Sequence, residues 1–288
     1  MRLAVISDVH GNLPALEAVL NNLQQYEIDG IIVAGDLVGG GPHAVETIRL
    51  LRSLGSLMIR GNADSGLLQY DAGEVLANRY TCHQFALLRW THRHVDRGTL
   101  DFIKSLPEQR VVELAGTVAI RVVHGSPRNS SESIFPDRDP AALDLALAQT
   151  SEPVLVCGHT HIPWKVEREG RLALNPGSVC GPLNGEVGAQ YALLTWCDDH
   201  WQVRHLTIPY DLERIRMVCR ESGLLEECGA LAQAFMLCLE TGQDVFEDFF
   251  AYACGLAADA GFRDCDVVPD DIWEHATLTF GWSSYGGK

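Results

Sequence analysis

Short apolar runs along the chain stop abruptly at polar turns. Leu3 to Ile6 is a β-branched run that ends at Ser7-Asp8, and beyond His10-Gly11-Asn12 the apolar positions Leu16, Val19, Leu20 and Leu23 recur at helical spacing. The order returns at IDGIIVAGDLVGGGP, where a buried strand stops at Gly35-Asp36 and a glycine-rich loop leads into a helix around Ala44 to Leu54. A third run, SLMIRGNAD, breaks at Gly61-Asn62. Strand, polar turn and helix in succession predict βαβ units, with a site at the carboxyl ends of the strands.

Between Ser65 and Leu106 no strand signal occurs, and Glu74 to Trp90 and Gly98 to Ser105 are predicted helical, as a cap inserted beside the site. Strand character returns in QRVVELAGTVAIRVVHGSP, a predicted hairpin turning near Ala115-Gly116 whose second arm ends at His124-Gly125. EPVLVCGHTHIP is another apolar run with a polar stop, and two further hairpins turn at Glu169-Gly170 and Asp198-Asp199. Two mixed sheets with helices outside accommodate this order. After Pro209 the texture becomes helical, with DLERIRMVCRESG, LLEECGALAQAFMLCLE and DVFEDFFAYACGLAADAGF as three predicted helices. The expected division is residues 1–209, with an insertion at about 65–106, followed by an acidic helical extension over 210–288. Apolar positions such as Leu231, Phe235 and Phe249 fit that extension to the sandwich or to a second subunit, so a homo-oligomer is one of two expectations.

Composition narrows the setting. With 288 residues, 47% of them hydrophobic, the chain can bury a large core. The apolar start of MRLAVISDVHGN is too short for a signal peptide, and no apolar run reaches the roughly 18 residues of a membrane span, so a cytoplasmic protein is expected. Nine cysteines, Cys265 among them, are scattered without Cys-x-x-Cys spacing and read as buried thiols in a reducing compartment. The net charge is −16, and after Pro209 there are 15 acidic and 5 basic residues. Such a chain repels polyanions, which argues against a nucleic acid polymer as partner.

The chemistry lies at the strand ends. Asp8, His10, Asp36, Asn62, His124, His159 and His161 all stand at polar stops beside glycine or within two residues of one another. A catalytic metal needs side chains that converge from rigid strand ends, and glycine lets backbones approach closely. In Asp8-x-His10 and His159-x-His161 one turn can aim two ligands at one centre. Taken singly, each residue reads as a helix cap or a turn; five such turns in succession do not. Oxygen and imidazole donors without thiolate suit manganese, iron, cobalt, nickel or zinc.

The blocks SDVHGN, AGDLVGGGP, RGNAD, VHGSP, CGHTHIP and NPGSV together resemble the calcineurin-like metallophosphoesterase family, and within it the small bacterial and archaeal phosphodiesterases, over roughly Met1 to Pro209. The resemblance implies an α/β (α+β) fold, a four-layer α/β/β/α sandwich with a helical insertion and a helical C-terminal extension. It implies two divalent metals, manganese first among them. Asp8, His10 and His161 would hold one; Asn62, His124 and His159 would hold the other; Asp36 would bridge both. A hydroxide between the metals would attack a small phosphate ester, a diester or a monoester, with Asp36, Asn62 and His124 at the catalytic centre. The alternative is a metal-binding regulatory or interaction protein with weak or no turnover that uses its acidic tail as a surface.

Two supporting residues carry double readings. Asn12 is either a phosphate contact or a helix cap, and Asn175 either orients a ligand histidine or makes an ordinary Asn-Pro turn. The chain departs from the family pattern at Ala63, where many members place the histidine that protonates the leaving oxygen, while Asp64 reads as a capping carboxylate. His43, His83, His92 and His94 read as exposed loop or helix positions, and Tyr80, Phe85 and Trp90 as helix packing.

Overall fold

Strand β1 (Arg2–Ile6) shows why the chain folds in layers. Its side chains alternate across the sheet, Leu3 and Val5 entering one core and Ala4 and Ile6 another, so both faces are apolar and both must be covered. In this computed structural model, which describes residues 1–262 and 267–286, β1 lies at the centre of a five-stranded sheet. The order is β10 (His200–Ile208), β9 (Ala189–Cys197), β1, β2 (Gly30–Val33), β3 (Leu57–Met58). β1, β2 and β3 run parallel, and β9 pairs antiparallel with β1 and with β10. A second five-stranded sheet has the order β4 (Gln109–Val112), β5 (Ile120–Val123), β6 (Val154–Val156), β8 (Arg171–Asn175), β7 (Trp164–Arg168).

The sheets meet face to face through Leu3, Val5, Ile32, Val122, Val156 and Leu174. On the far face of the first sheet lie α1 (Leu13–Leu23), α2 (Ala44–Ser53), α3 (Asn62–Ala72) and α5 (Arg97–Ser105), which contribute Leu16, Ile48, Leu67 and Ile103 to one core. On the far face of the second, α6 (Pro140–Ala148) packs Leu143 and Ala146 against Val123, Leu155 and Ala173. This is the four-layer α/β/β/α sandwich. Helix α6 is absent from the predicted elements, although Asp139 caps it and Pro140 opens it. The hairpin turn at Asp198-Asp199 has φ of 51° and 60°, the left-handed pair that a two-residue turn between twisted strands requires.

Two predicted helices differ from those observed. α3 ends at Gly73, whose φ is 74°, and Leu76 and Cys82 are extended, so Glu74 to Phe85 forms only short 3₁₀ turns before α4 (Ala86–His94) begins. The second predicted tail helix breaks at Gly229, with φ of 53° and ψ of −121°, into α8 (Leu224–Cys228) and α9 (Ala230–Thr241). The third matches α10 (Val245–Asp259), α7 (Leu212–Glu221) precedes it, and α11 (Asp270–Thr279) is additional.

The tail helices close over a core of their own, joined by Trp90 of α4 and by Cys180 from a loop of the sandwich. At its centre Phe249 is fully buried, with the rings of Trp273, Phe280 and Trp282 at 4.9, 5.3 and 4.9 Å. Of the cysteines, Cys157, Cys180, Cys219, Cys228 and Cys238 are buried; Cys82, Cys197 and Cys254 are only half-buried, against the expectation for all nine, and Cys265 lies outside the described residues. Among the described residues no helix is long and apolar enough to cross a membrane. Removing the Phe249 ring leaves a cavity that three rigid neighbours cannot close. Phe249→Ala is therefore expected to cost about 3–5 kcal/mol in chemical denaturation, and a loss below about 1 kcal/mol would contradict this packing.

Candidate metal centre

The loops that leave β1, β2 and β6 at their carboxyl ends carry the site, and their backbones are strained. Among the described residues, the non-glycine positions with left-handed φ are eight: Asp8 (55°), His10 (45°), Asp36 (52°), His159 (70°) and His161 (56°) here, and Glu169, Asp198 and Asp199 in hairpin turns. An L-residue held there costs about 1–3 kcal/mol, and such strain concentrates where side chains must be aimed. Glycine permits the crowding: a Cβ at Gly61 would lie 2.1 Å from Asp36 Oδ1, and one at Gly35 would lie 2.8 Å from His124 Nδ1.

Three histidines are fixed by backbone carbonyls. His10 Nδ1 donates to Val38 O at 2.8 Å, His124 Nδ1 to Ala34 O at 2.7 Å and His161 Nδ1 to Gly181 O at 2.9 Å. A carbonyl only accepts, so each Nδ1 bears the hydrogen, and in the neutral ring each Nε2 presents a lone pair. Those lone pairs converge. His10 Nε2 and His161 Nε2 lie 3.2 Å apart, and Asp8 Oδ1 is 4.0, 3.8 and 3.4 Å from Nε2 of His10, His124 and His161. Asp36 Oδ2 is 3.6 Å from His10 Nε2 and 3.2 Å from His124 Nε2, and Asn62 Oδ1 is 2.9 Å from His124 Nε2.

Asp8 Oδ1, fully buried, has no hydrogen-bond partner. A buried carboxylate oxygen without a hydrogen-bond partner among the described residues, ringed by imidazoles, suits a bound cation, and the donor set of carboxylate, amide oxygen and imidazole fits divalent ions. Among the described residues two groups have the compactness to hold one each: Asp8, His10 and His161, and Asp8, Asp36 and His124. His159 belongs to neither; its ring lies 5.4 Å from that of His124, its backbone N–H donates to Asp8 Oδ2 at 3.2 Å, and it lines the cavity above.

The electrostatics match a cation site. Burial opposes ionisation of Asp8, but His161, His124 and His10 together hold its carboxyl well below the usual range. Asp36 is lowered likewise, burial being outweighed by His124 and His10. Burial also disfavours a charged His124, yet Asp36 and Asp8 push it up to about 10. Burial lowers His10 and His159.

Neighbouring side chains tie the loops together. Asp64, fully buried, accepts from Leu37 and Val38 N–H at 3.0 and 3.2 Å through Oδ1 and from Gly61 N–H at 2.8 Å through Oδ2. It caps α3 and also clamps the Asp36 loop to the Asn62 turn; burial and then Asp36 push its pKa up to about 7. Asn175 Nδ2 donates to Gly158 O at 2.6 Å and Thr160 Oγ1 at 3.1 Å, so it braces the His159–His161 turn. Asn12 Oδ1 accepts from Ala15 N–H and caps α1, while its Nδ2 donates to Cys180 O and Tyr210 Oη, each at 3.1 Å.

A cavity of about 340 Å³ opens from the cradle and is lined by His10, Asp36, Asn62, His159 and His161, by Ala63, and by apolar residues from the tail. Leu183, Phe235, Cys238, Leu239 and Phe246 on that wall carry no sequence signal for a site. His43, His92 and His94 do not line it: His43 stands before α2, His92 pairs with Asp71 at 3.0 Å, and His94 stacks on Trp90. Trp90 is buried as expected for helix packing, whereas Tyr80 is exposed and packs against Tyr70.

A four-layer sandwich with such donors at its strand ends defines the metallophosphoesterase class. The sequence profile of the calcineurin-like phosphoesterase superfamily domain matches residues 1–199, and the chain belongs to that family. Uncharacterized protein MJ0912 of Methanocaldococcus jannaschii is 31% identical over 229 residues, covering 74% of this chain and 89% of that protein. Phosphodiesterase YfcE of Escherichia coli K12 is 29% identical over 197 residues, covering 67% and 87%. The crystal structure of a metallophosphoesterase from Sphaerobacter thermophilus superposes with a TM-score of 0.67 at 29% identity, over 84% of this chain and all of that one.

Ions that bind only the folded cradle stabilise it by mass action. Adding manganese or zinc to chelator-treated protein is expected to raise Tm saturably, by several degrees at about 100-fold over Kd. Asp8→Asn, which removes the one carboxylate of the first donor group and one of the two in the second, is expected to remove most of that rise; an unchanged rise would contradict the assignment.

Proposed function

We propose that this chain hydrolyses phosphoester bonds with two divalent ions held in the cradle. The observation that carries the reading is the convergence of acceptors around the unpartnered Asp8 Oδ1. Asp8, His10 and His161 would hold one ion, and Asn62, His124 and His159 the other. Asp36 would serve both, since its Oδ2 lies near His10 on one side and His124 on the other. Ions there would supply an activated water and neutralise charge on the phosphoryl oxygens.

The chain's own residues set the remaining terms. Asp36, held by the Ala63 N–H on Oδ1 at 2.9 Å, keeps Oδ2 turned toward both histidines. Asp64 and Asn175 keep the loops from relaxing, which matters because small displacements of positioned groups cost large factors in rate. Ala63 stands on the first turn of α3 and lines the cavity with a methyl group where a proton donor would serve the leaving oxygen. That acid contributes typically about 10²–10⁴-fold, so esters whose leaving group departs without protonation are favoured. The name of the YfcE relative supports phosphodiesters as one substrate class.

Manganese-loaded protein is expected to turn over aryl phosphate esters in a screen that includes bis-aryl phosphate, aryl phosphate, cyclic nucleotides and a phosphopeptide. Asp36→Asn should abolish that activity, and substantial residual turnover would contradict the shared-ligand role. Inertness toward every ester would replace this reading with a metal-binding regulatory protein. Ala63→His should raise turnover of alkyl esters relative to aryl esters by about tenfold or more; an equal ratio would sink the idea of the missing acid.

A further inference from the structure

The cavity has two unlike halves. One is the cradle; the other is an apolar wall of Leu183, Phe235, Cys238, Leu239 and Phe246. All but Leu183 come from α9 and α10 or the residues that open them, beyond the last residue matched by the family profile. The wall is thus an addition to the sandwich, placed directly over its site.

Backbone contacts fix the wall relative to the histidines. A Cβ at Gly40 would lie 3.0 Å from His10 Cβ and 3.1 Å from the Phe235 ring, and one at Gly181 would meet Leu239 at 2.7 Å. The carbonyl of that same Gly181 accepts from His161 Nδ1 at 2.9 Å, and Leu183 N–H donates to His161 O at 3.1 Å. At the far end of α9, Gly185 N–H donates to Gly242 O at 2.9 Å. One loop, 180–185, therefore holds a histidine of the cradle and seats α9.

The lining also excludes whole classes of ligand. Among the described residues it contains no lysine or arginine. The Cys238 thiol, which burial pushes up to about 12, stays neutral. A second anionic group or a ring of sugar hydroxyls would lose its hydration against this wall and gain nothing in exchange. At about 340 Å³ the space is at the small end of ligand pockets, which run from roughly 300 Å³ upward.

We propose that the wall formed by α9, α10 and Leu183 is the subsite for the organic group of the ester, and that the substrates are phosphoesters of compact apolar or aromatic alcohols. Nucleotides, sugar phosphates and polymers are excluded. The inference rests on the phosphoesterase reading for the role of the cradle, and a binding measurement separates the two. In calorimetry on the metal-loaded full chain, phenylphosphonate is expected to bind about tenfold or more tightly than methylphosphonate.

Phe246→Ala and Leu183→Ala, both at half-buried positions, are each expected to cut that ratio about threefold or more while the thermal melt stays cooperative. Equal affinity for the two phosphonates, binding of neither, or a ratio unmoved in both folded variants would overturn the subsite. Selective phenylphosphonate binding by a protein that hydrolyses no ester would remove the hydrolase reading and leave the subsite standing. Turnover of glycerol or nucleotide esters as efficient as that of phenyl esters would do the reverse.

Discussion

The convergence of buried carboxylates and imidazoles on Asp8 Oδ1, which has no hydrogen-bond partner among the described residues, is the constraint on which the rest of the structure depends. The cluster is crowded, because Nε2 of His10 and Nε2 of His161 lie 3.2 Å apart and two carboxylates share the same small volume. It persists because each member is gripped from behind. Three imidazoles are tied through Nδ1 to the main chain, and Asp36 is held through Oδ1 by the start of α3. The five left-handed residues are the conformational cost of aiming so many side chains inward from neighbouring loops.

Rigid surroundings make that cost bearable. The loops spring from strands whose two faces are both buried, so their bases cannot shift without disturbing two cores at once. Asp64 and Asn175 then cross-link the loops, each through main-chain groups that would otherwise be unpaired in the interior. The tail contributes a third support, because α9 presses on Gly40 and Gly181, which adjoin His10 and receive the hydrogen bond of His161.

Much of this was legible along the chain, for physical reasons that also mark where legibility ends. A buried strand that stops at Gly-Asp or His-Gly announces a functional turn, because a strained loop needs both glycine and a reason to be polar. The hairpin at Asp198-Asp199 was equally readable, since two small acidic residues tolerate the left-handed turn. Helices α3 and α6 lay hidden where apolar spacing is irregular and the caps alone mark the boundary. The split at Gly229 escaped because one glycine inside an apolar stretch is compatible with an unbroken helix. The apolar wall left no trace: Phe235 and Phe246 have the pattern of ordinary packing residues, and only the tertiary fold brings their helices over the cradle.

The two halves of the cavity bear on each other electrically. Asp8 and Asp36 hold their negative charge firmly, and among the described residues the lining has no lysine or arginine. Ions held in the cradle would bring positive charge to a phosphoryl group, and metal loading and ester binding would then be linked equilibria. The apolar wall sharpens that linkage. An apolar group seated on it would displace water from the space facing the cradle, lower the local dielectric, and strengthen the interactions among fixed charge, ion and phosphoryl oxygen. At the position that Ala63 occupies, a methyl group has no proton to give a leaving oxygen. An organic group that is apolar enough to fill the wall and electron-withdrawing enough to depart unprotonated satisfies both halves at once, and an aromatic ester has both properties.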